Sequence, residues 1–337
     1  MEMDMQRIPD RIGEYLLPHV EQFIFDELSE NYLKKAGIDD ILTGVPIPVR
    51  KTAMANLSTL VIAQNMAFII GCDINFKYRD NYVAYITRTF TKEFAKYLIG
   101  DGVDGAEKHD YDYACICFRA AILIDPENVD ALYCYGRACK DSYEMGEGEE
   151  FVGRYKAESL EAFEKVTLKK PDFDMGYYFL GYGYLNLGLY VKAKLTWDTF
   201  MELSNNQEQK DEVQEWLTKL EEPVRIEEGY NHVLSGRFAE GLEILEGYEN
   251  DGRFNTWWPL WYYLGAAHKE TGDPERAEKD FLHVLQLSPS NLEAMDELVK
   301  IYEAKGDAEK AAKYTQKIEV VKHNMELDKA EKNSNMS

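Results

Sequence analysis

The sequence predicts an all-α protein built from antiparallel helix pairs. Three observations predict it: a spacing of large and small residues that recurs along the chain, a globular composition poor in helix breakers, and connectors that stop one helix while starting the next. The spacing is clearest where Trp261, Leu264, Gly265 and His268 are followed by Ala277, Phe281 and Pro289. Large residues at helical intervals share one face, Gly265 and Ala277 let two helices approach closely, and the proline stops the second helix. In the connector TGDPERA, Gly272 ends one helix, Asp273 caps the next and Pro274 takes its first position. Of the 337 residues, 45% are apolar, 29% charged and only 10 are proline, a globular rather than a disordered composition.

The elements follow in order. Residues 10–36 read as helical, with Pro18 kinking or restarting the helix. ILTGVPIPVR (41–50) alternates prolines with β-branched residues and is expected to be an extended loop. Residues 52–72 form an apolar helix and 81–99 an amphipathic one, so 1–100 make an N-terminal helical domain or cap. From 101 to 326 the pair pattern returns. Ala114, Phe118, Ala121 and Pro126 fit a second helix. Leu132, Tyr135, Gly136, Ser159, Phe163 and Pro171 form one copy, and Tyr177, Leu180, Gly181, Tyr184, Ala193 and Trp197 another. Gly229, Gly236, Gly241 and Leu245 are a degenerate copy, and Met295, Leu298, Tyr302, Gly306 and Ala311 a terminal one with Val299 in the glycine slot.

The spacing between copies supports this reading. Val299 follows Gly265 by one repeat period, about 34 residues for such helix pairs, and Gly265 follows Gly229 by slightly more. The steps from Gly136 to Gly181 and from Gly181 to Gly229 are longer, each with room for a further helical stretch. Insertions are therefore expected near 144–154 and at 207–221, the latter as an extra helix, among about five to six repeats. Residues 327–337 are expected to be a flexible tail.

The Trp261–Pro289 stretch resembles a tetratricopeptide repeat, W-x2-L-G-x2-Y…A-x3-F…P, with His268 in the tyrosine slot. The resemblance is to bacterial members with a non-repeat N-terminal helical region. It implies a right-handed α-α superhelix whose first helices line a concave groove that binds peptides. Carried over slot by slot, the lining would be Tyr133 and Arg137, Tyr178 and Tyr182, Ile226 and Tyr230, Tyr262 and Ala266, then Asp296 and Lys300. These tyrosines either contact a partner or only pack between repeats. The implied function is a non-catalytic protein- or peptide-binding scaffold. The alternative is a regulatory sensor whose superhelix changes shape when a peptide binds. Chaperone-cofactor members hold lysine and asparagine in these slots, which the tyrosines here replace.

The net charge of −23 weighs against nucleic acid and anionic membranes and towards a partner of basic and apolar character. Residues 1–100 carry 11 basic against 13 acidic residues and the remainder 27 against 48, so the acidity belongs to the repeat region. The opening MEMDMQRIPDRIGEY is charged throughout and Leu57–Gly71 is too short and polar for a bilayer span; a cytoplasmic protein is expected. The five cysteines (72, 115, 117, 134 and 139) then read as reduced core thiols, with Cys134 or Cys139 able to approach Cys115 or Cys117. No HExxH, P-loop or GxSxG is present, so no catalytic residues, metal or cofactor are expected. DGVDGAEKHDYD (101–112) lacks the alternating ligands and closing glutamate of a calcium loop and reads as a solvated acidic loop. In the cluster 257–263, Trp261 is expected inside, Tyr262 at the groove, and Trp257 and Trp258 packed at the helix start before Pro259.

Overall fold

The computed structural model describes residues 7–52 and 57–334, and it is all-α apart from one two-stranded sheet. The chain divides into two compact units, Met1–Gly188 with Leu195–Asp211, and Leu189–Lys194 with Glu212–Ser337.

The N-terminal segment departs from the helix expected over 10–36. Helix α1 (Gly13–Leu16) runs into a 3-10 turn at Leu17–Gln22, and Phe23–Asp26 is strand β1. Helix α2 (Glu30–Ala36) follows, capped by the Ser29 hydroxyl and ended by Gly37 at φ 67°. After α3 (Asp39–Leu42), Ile47–Arg50 forms strand β2. The stretch expected as an extended loop is therefore extended, but as a strand paired antiparallel with β1, Ile24 opposite Val49 and Phe25 opposite Pro48. Two proline carbonyls hold it in place: Asn65 Nδ2 donates to that of Pro48 at 3.0 Å, and the Tyr82 hydroxyl to that of Pro46 at 2.6 Å. The Arg50 guanidinium lies 5.1 Å from the centres of both Phe23 and Phe68.

Helix α4 (Thr59–Cys72) begins later than the expected 52, with Ser58 as its cap, and residues 53–56 lie outside the described residues. The single helix expected over 81–99 is two, α5 (Arg79–Phe90) and α6 (Phe94–Glu107), broken where Thr91 takes φ 59°. The acidic stretch from 101 is not a loop, since α6 runs through it to Glu107 and Asp110 caps α7 (Tyr111–Ile124). Its glycines serve helix packing: a Cβ on Gly102 would come 2.5 Å from the Phe118 ring. The core of the first unit runs from Ile12 to Ala162 as one cluster.

The pairs that follow are α8 (Val129–Met145) with α9 (Glu149–Lys169), and α10 (Asp174–Asn186) with α11 (Tyr190–Leu203). Next come α12 (Gln207–Leu234) and α13 (Phe238–Leu245), then α14 (Trp258–Glu270) with α15 (Pro274–Leu287), and α16 (Leu292–Ala304) with α17 (Ala308–Ser334). The extra helix expected at 207–221 is not separate: α12 continues through a buried Pro223 and carries Gly229. The tail expected to be flexible is helical to Ser334. Side-chain caps recur at the starts: Asn128 on α8, Asp273 on α15 and Asn291 on α16.

One contact repeats in these pairs. A Cβ on Gly136 would lie 3.0 Å from the Phe163 ring, and one on Gly265 3.0 Å from the Phe281 ring. One on Gly181 would clash with the Trp197 indole, and one on Gly229 would lie 2.6 Å from Leu245. The first-helix glycine is thus the socket for a large side chain of the second. Socket and plug keep the same sequence spacing in three pairs and stand further apart in α8–α9. The helices account for the difference: α8 has 17 residues against 13 in α14, and α9 has 21 against 14 in α15. The connectors, 146–148 and 271–273, are equal in length. The insertion expected near 144–154 therefore lengthens both helices at their shared tip. On that extension Phe151 and Tyr155 meet the Tyr15 ring at 5.0 and 5.9 Å, and Arg154 donates to the Arg11 carbonyl at 3.0 Å.

The five cysteines are free thiols, four buried and Cys134 half-buried, and Cys139 Sγ approaches Cys115 Sγ to 4.0 Å. Burial pushes Cys72 and Cys117 up to about 12 and Cys134 to about 11, which keeps them protonated and unreactive.

Candidate binding surface

In the first unit, four of the residues expected at a groove gather around Phe179. Tyr133 lies 6.0 Å from that ring, Tyr178 5.1 Å, and the Arg137 guanidinium 5.5 Å. Tyr182 joins through Tyr178 at 5.2 Å. Beneath them Phe163 stacks on Phe179 at 5.2 Å, Tyr178 rests on Phe200 at 5.3 Å, and Tyr182 meets Trp197 edge-on at 4.9 Å. The three tyrosines are half-buried and Arg137 is exposed. Burial raises the Tyr133 phenol while Arg137 opposes the rise, so the hydroxyl stays a neutral donor.

Beside this cluster lies a cavity of about 190 Å³ between α8, α9 and α10. Tyr182, Phe179, Tyr143, Leu160 and Leu187 supply apolar walls, and Lys140 and Lys156 supply its charge. Leu187 is 53% exposed at the end of α10, so apolar surface continues out of the cavity.

In the second unit Tyr230 stacks on Tyr263 at 4.4 Å, and Tyr262 meets Tyr263 at 5.5 Å and Phe281 at 5.7 Å. Both predicted tyrosines are half-buried, and burial holds the Tyr230 phenol far above its ordinary range. Ile226, expected at the surface with Tyr230, is fully buried. Its slot turns into the core because α12 packs Ile226 with Leu245, Leu260 and Leu264. Ala266 is half-buried, and Asp296 and Lys300 are exposed and paired at 2.7 Å.

Sequence reasoning missed Phe179 and Tyr263, the two rings that join the others. They occupy one slot, each directly before the core leucine (Leu180 and Leu264), in the runs Tyr177-Tyr178-Phe179 and Trp261-Tyr262-Tyr263. That equivalence was the available signal.

In the cluster 257–263, the Trp261 indole donates to the Asn255 carbonyl at 2.7 Å and lies against His283. Trp257 packs on Phe254 and Tyr190, whereas Trp258, expected to pack, is 40% exposed. His268 is buried as expected of its slot, but by ionic partners: Nδ1 is 2.7 Å from Asp280 Oδ2 and Nε2 is 3.3 Å from Glu246. Burial, opposed by His268, pushes the Asp280 carboxyl up to about 6 from 3.8. A raised folded-state value means that this group stabilises the fold below its unfolded value and that the contribution is lost as pH rises towards 6. Asp280→Asn is therefore expected to remove a fall on the order of 3 kcal/mol between pH 4 and 6.5. Urea unfolding of both proteins across that range checks it; parallel pH profiles would refute the assignment.

Among the described residues no group of three or more His, Cys, Asp or Glu side chains is placed to hold a metal, and no helix is long and apolar enough to cross a membrane.

The fold and its glycine sockets define a class, the helix-pair repeat proteins. Residues 258–291 match the family model for the tetratricopeptide repeat, so the chain carries a tetratricopeptide repeat at α14 and α15. No curated protein matches the chain. Among solved structures it is similar to the tetratricopeptide domain of P58(IPK), at 12% identity over 88% of this chain and 85% of that one, with a TM-score of 0.46. It is also similar to YrrB, described as a TPR protein with an unusual peptide-binding site (15%, 64% and 97%, TM-score 0.30). A third is MamA from Desulfovibrio magneticus RS-1 (15%, 68% and 96%, TM-score 0.24).

Proposed function

We propose that the protein is a non-catalytic scaffold that binds an apolar segment of a partner protein through its helix-pair repeats. Residues 101–326 form the binding region behind an N-terminal helical region, in a cytoplasmic setting. Tyr133, Arg137, Tyr178 and Tyr182 make the principal contact, with Tyr230 and Tyr262 as contacts of the second unit. The observation that carries this reading is the cavity of about 190 Å³ walled by Tyr182, Phe179 and Leu187, with the exposed Arg137 guanidinium over the Phe179 ring. Rigid aromatic rings, already packed from below, give contact area at little cost in side-chain order.

Peptide display against the purified protein tests this. Enriched peptides are expected to carry one large apolar anchor, and their binding is expected to fall at least tenfold in the double variant Arg137→Glu, Leu187→Glu. Both side chains are exposed, so stability should change by about 0.5 kcal/mol or less. Peptides that bind the variant as tightly as the parent would reject this surface.

A further inference from the structure

The cavity of about 190 Å³ beside Phe179 has a local charge opposite to that of the chain. Among the described residues that line it, only Lys140 and Lys156 are charged, and Lys156 Nζ lies 5.5 Å from the centre of the Tyr143 ring in the same wall. Arg137 adds a third cation, over the Phe179 ring of that wall. Glu144 holds Lys140 at 2.6 Å, and the half-buried Asp141 is its neighbour on α8. Arg137 and Lys156 have no ion-pair partner among the described residues.

The chain as a whole, at −23, repels an acidic ligand, and these two cations attract one. Distance decides between the effects. At physiological salt exposed charges are screened over about 8 Å, so the acidic surface elsewhere is muted, while Arg137 and Lys156 stand against rings of the cavity wall. A carboxylate beside the bound group meets cations that no other side chain neutralises; an ammonium or guanidinium meets their repulsion. Size limits the bound group itself. A cavity of about 150 Å³ suffices for benzene, so this one takes a single aromatic or branched aliphatic side chain. Arg137 and Lys156 stand at different rings, Phe179 and Tyr143, so carboxylates on either side of that anchor find a cation.

We propose that the partner segment is acidic: one aromatic or branched aliphatic side chain enters the cavity, and aspartate or glutamate side chains next to it in sequence pair with Lys156 and Arg137. This rests on the scaffold reading above and specifies the partner of the same surface. It differs from the basic partner that net charge alone favours, because the charge at the cavity has the other sign.

Peptide display on the full chain, with a fixed phenylalanine between randomised flanks, tests it. The enriched flanks are expected to carry net negative charge. By calorimetry at about 0.15 M salt, an enriched peptide with blocked termini should bind more tightly than its counterpart with Asn and Gln for Asp and Glu, by about tenfold for two ion pairs. Lys156→Gln should weaken the acidic peptide about threefold and leave the neutral one unchanged, a split that a general loss of structure would not give. Gly153→Trp puts a large side chain at the cavity from a position where a Cβ meets nothing within 4 Å. It should abolish binding of both peptides while circular dichroism stays unchanged. Enrichment of neutral or basic flanks would leave the surface standing and overturn its acidic partner. Undiminished binding of the acidic peptide to Lys156→Gln would overturn the pairing with Lys156, and undiminished binding to Gly153→Trp the location. Failure to enrich any peptide would overturn the scaffold reading and this inference together.

Discussion

Trp197→Ala is expected to lower the unfolding free energy of the first unit by about 3–5 kcal/mol, the range for deleting a large aromatic from a core that cannot collapse around the void. Trp197 is fully buried, fills the socket at Gly181, meets Tyr182 edge-on and donates its indole N–H to the Tyr178 carbonyl at 3.1 Å. Removal leaves a cavity, takes the second donor from the Tyr178 carbonyl, which lies inside α10, and leaves the Tyr182 ring without its support. The floor of the proposed binding surface should soften together with the fold, so peptide binding should fall more than the Arg137 contact alone explains. Urea unfolding followed by circular dichroism gives the first number. A loss under about 1 kcal/mol would mean that the socket relaxes around the gap.

Asp10→Ala is expected to cost about 3–5 kcal/mol, because it strands a buried cation. Asp10 supplies the carboxylate on Arg119 and also accepts from the Gly13 amide at 2.8 Å, which ties the start of α1 to α7. The diagnostic is the double variant. A buried ion pair replaced whole by apolar groups is often near neutral, so Arg119→Met added to Asp10→Ala should recover a large part of the loss. The measurement is a double-mutant cycle by urea unfolding. Purely additive losses would show that Asp10 acts through the α1 turn and not through Arg119.

The repeat region was legible because its packing is local. Gly265 and Phe281, or Gly181 and Trp197, are partners on consecutive helices at one fixed spacing, and the repeat period places both in the copies that keep it. The N-terminal segment was less legible, since β1 and β2 are made by pairing with each other. FIFD alone, following Pro18 and His19, is compatible with a helix until Ile24 finds Val49. The stretch 101–112 misled in a different way. Its carboxylates read as a solvated acidic loop, but Gly102 is small because Phe118, on the next helix, needs the space, the same socket relation as in the later repeats. His268 was legible as an interior residue from its slot. Its partner Asp280 was not, because an aspartate beside Phe281 reads as a solvated position until α14 and α15 are set side by side. At the proposed binding surface, Tyr133, Tyr178 and Tyr182 follow from slot arithmetic, while Phe179 requires comparison between copies.

The extra turns at the tip of α8 and α9 suggest how such a chain acquires parts. A helix pair can grow at its tip without changing which side chain faces Gly136. Material grafted there is free to take on other work. In this chain it became a bracket: Phe151, Arg154 and Tyr155 grip Tyr15 and Arg11, and so anchor the segment whose Asp10 closes over Arg119. A repeat otherwise occupied with its neighbours thereby holds the N-terminal segment of its own chain, and a cavity of about 390 Å³ lies at that seam.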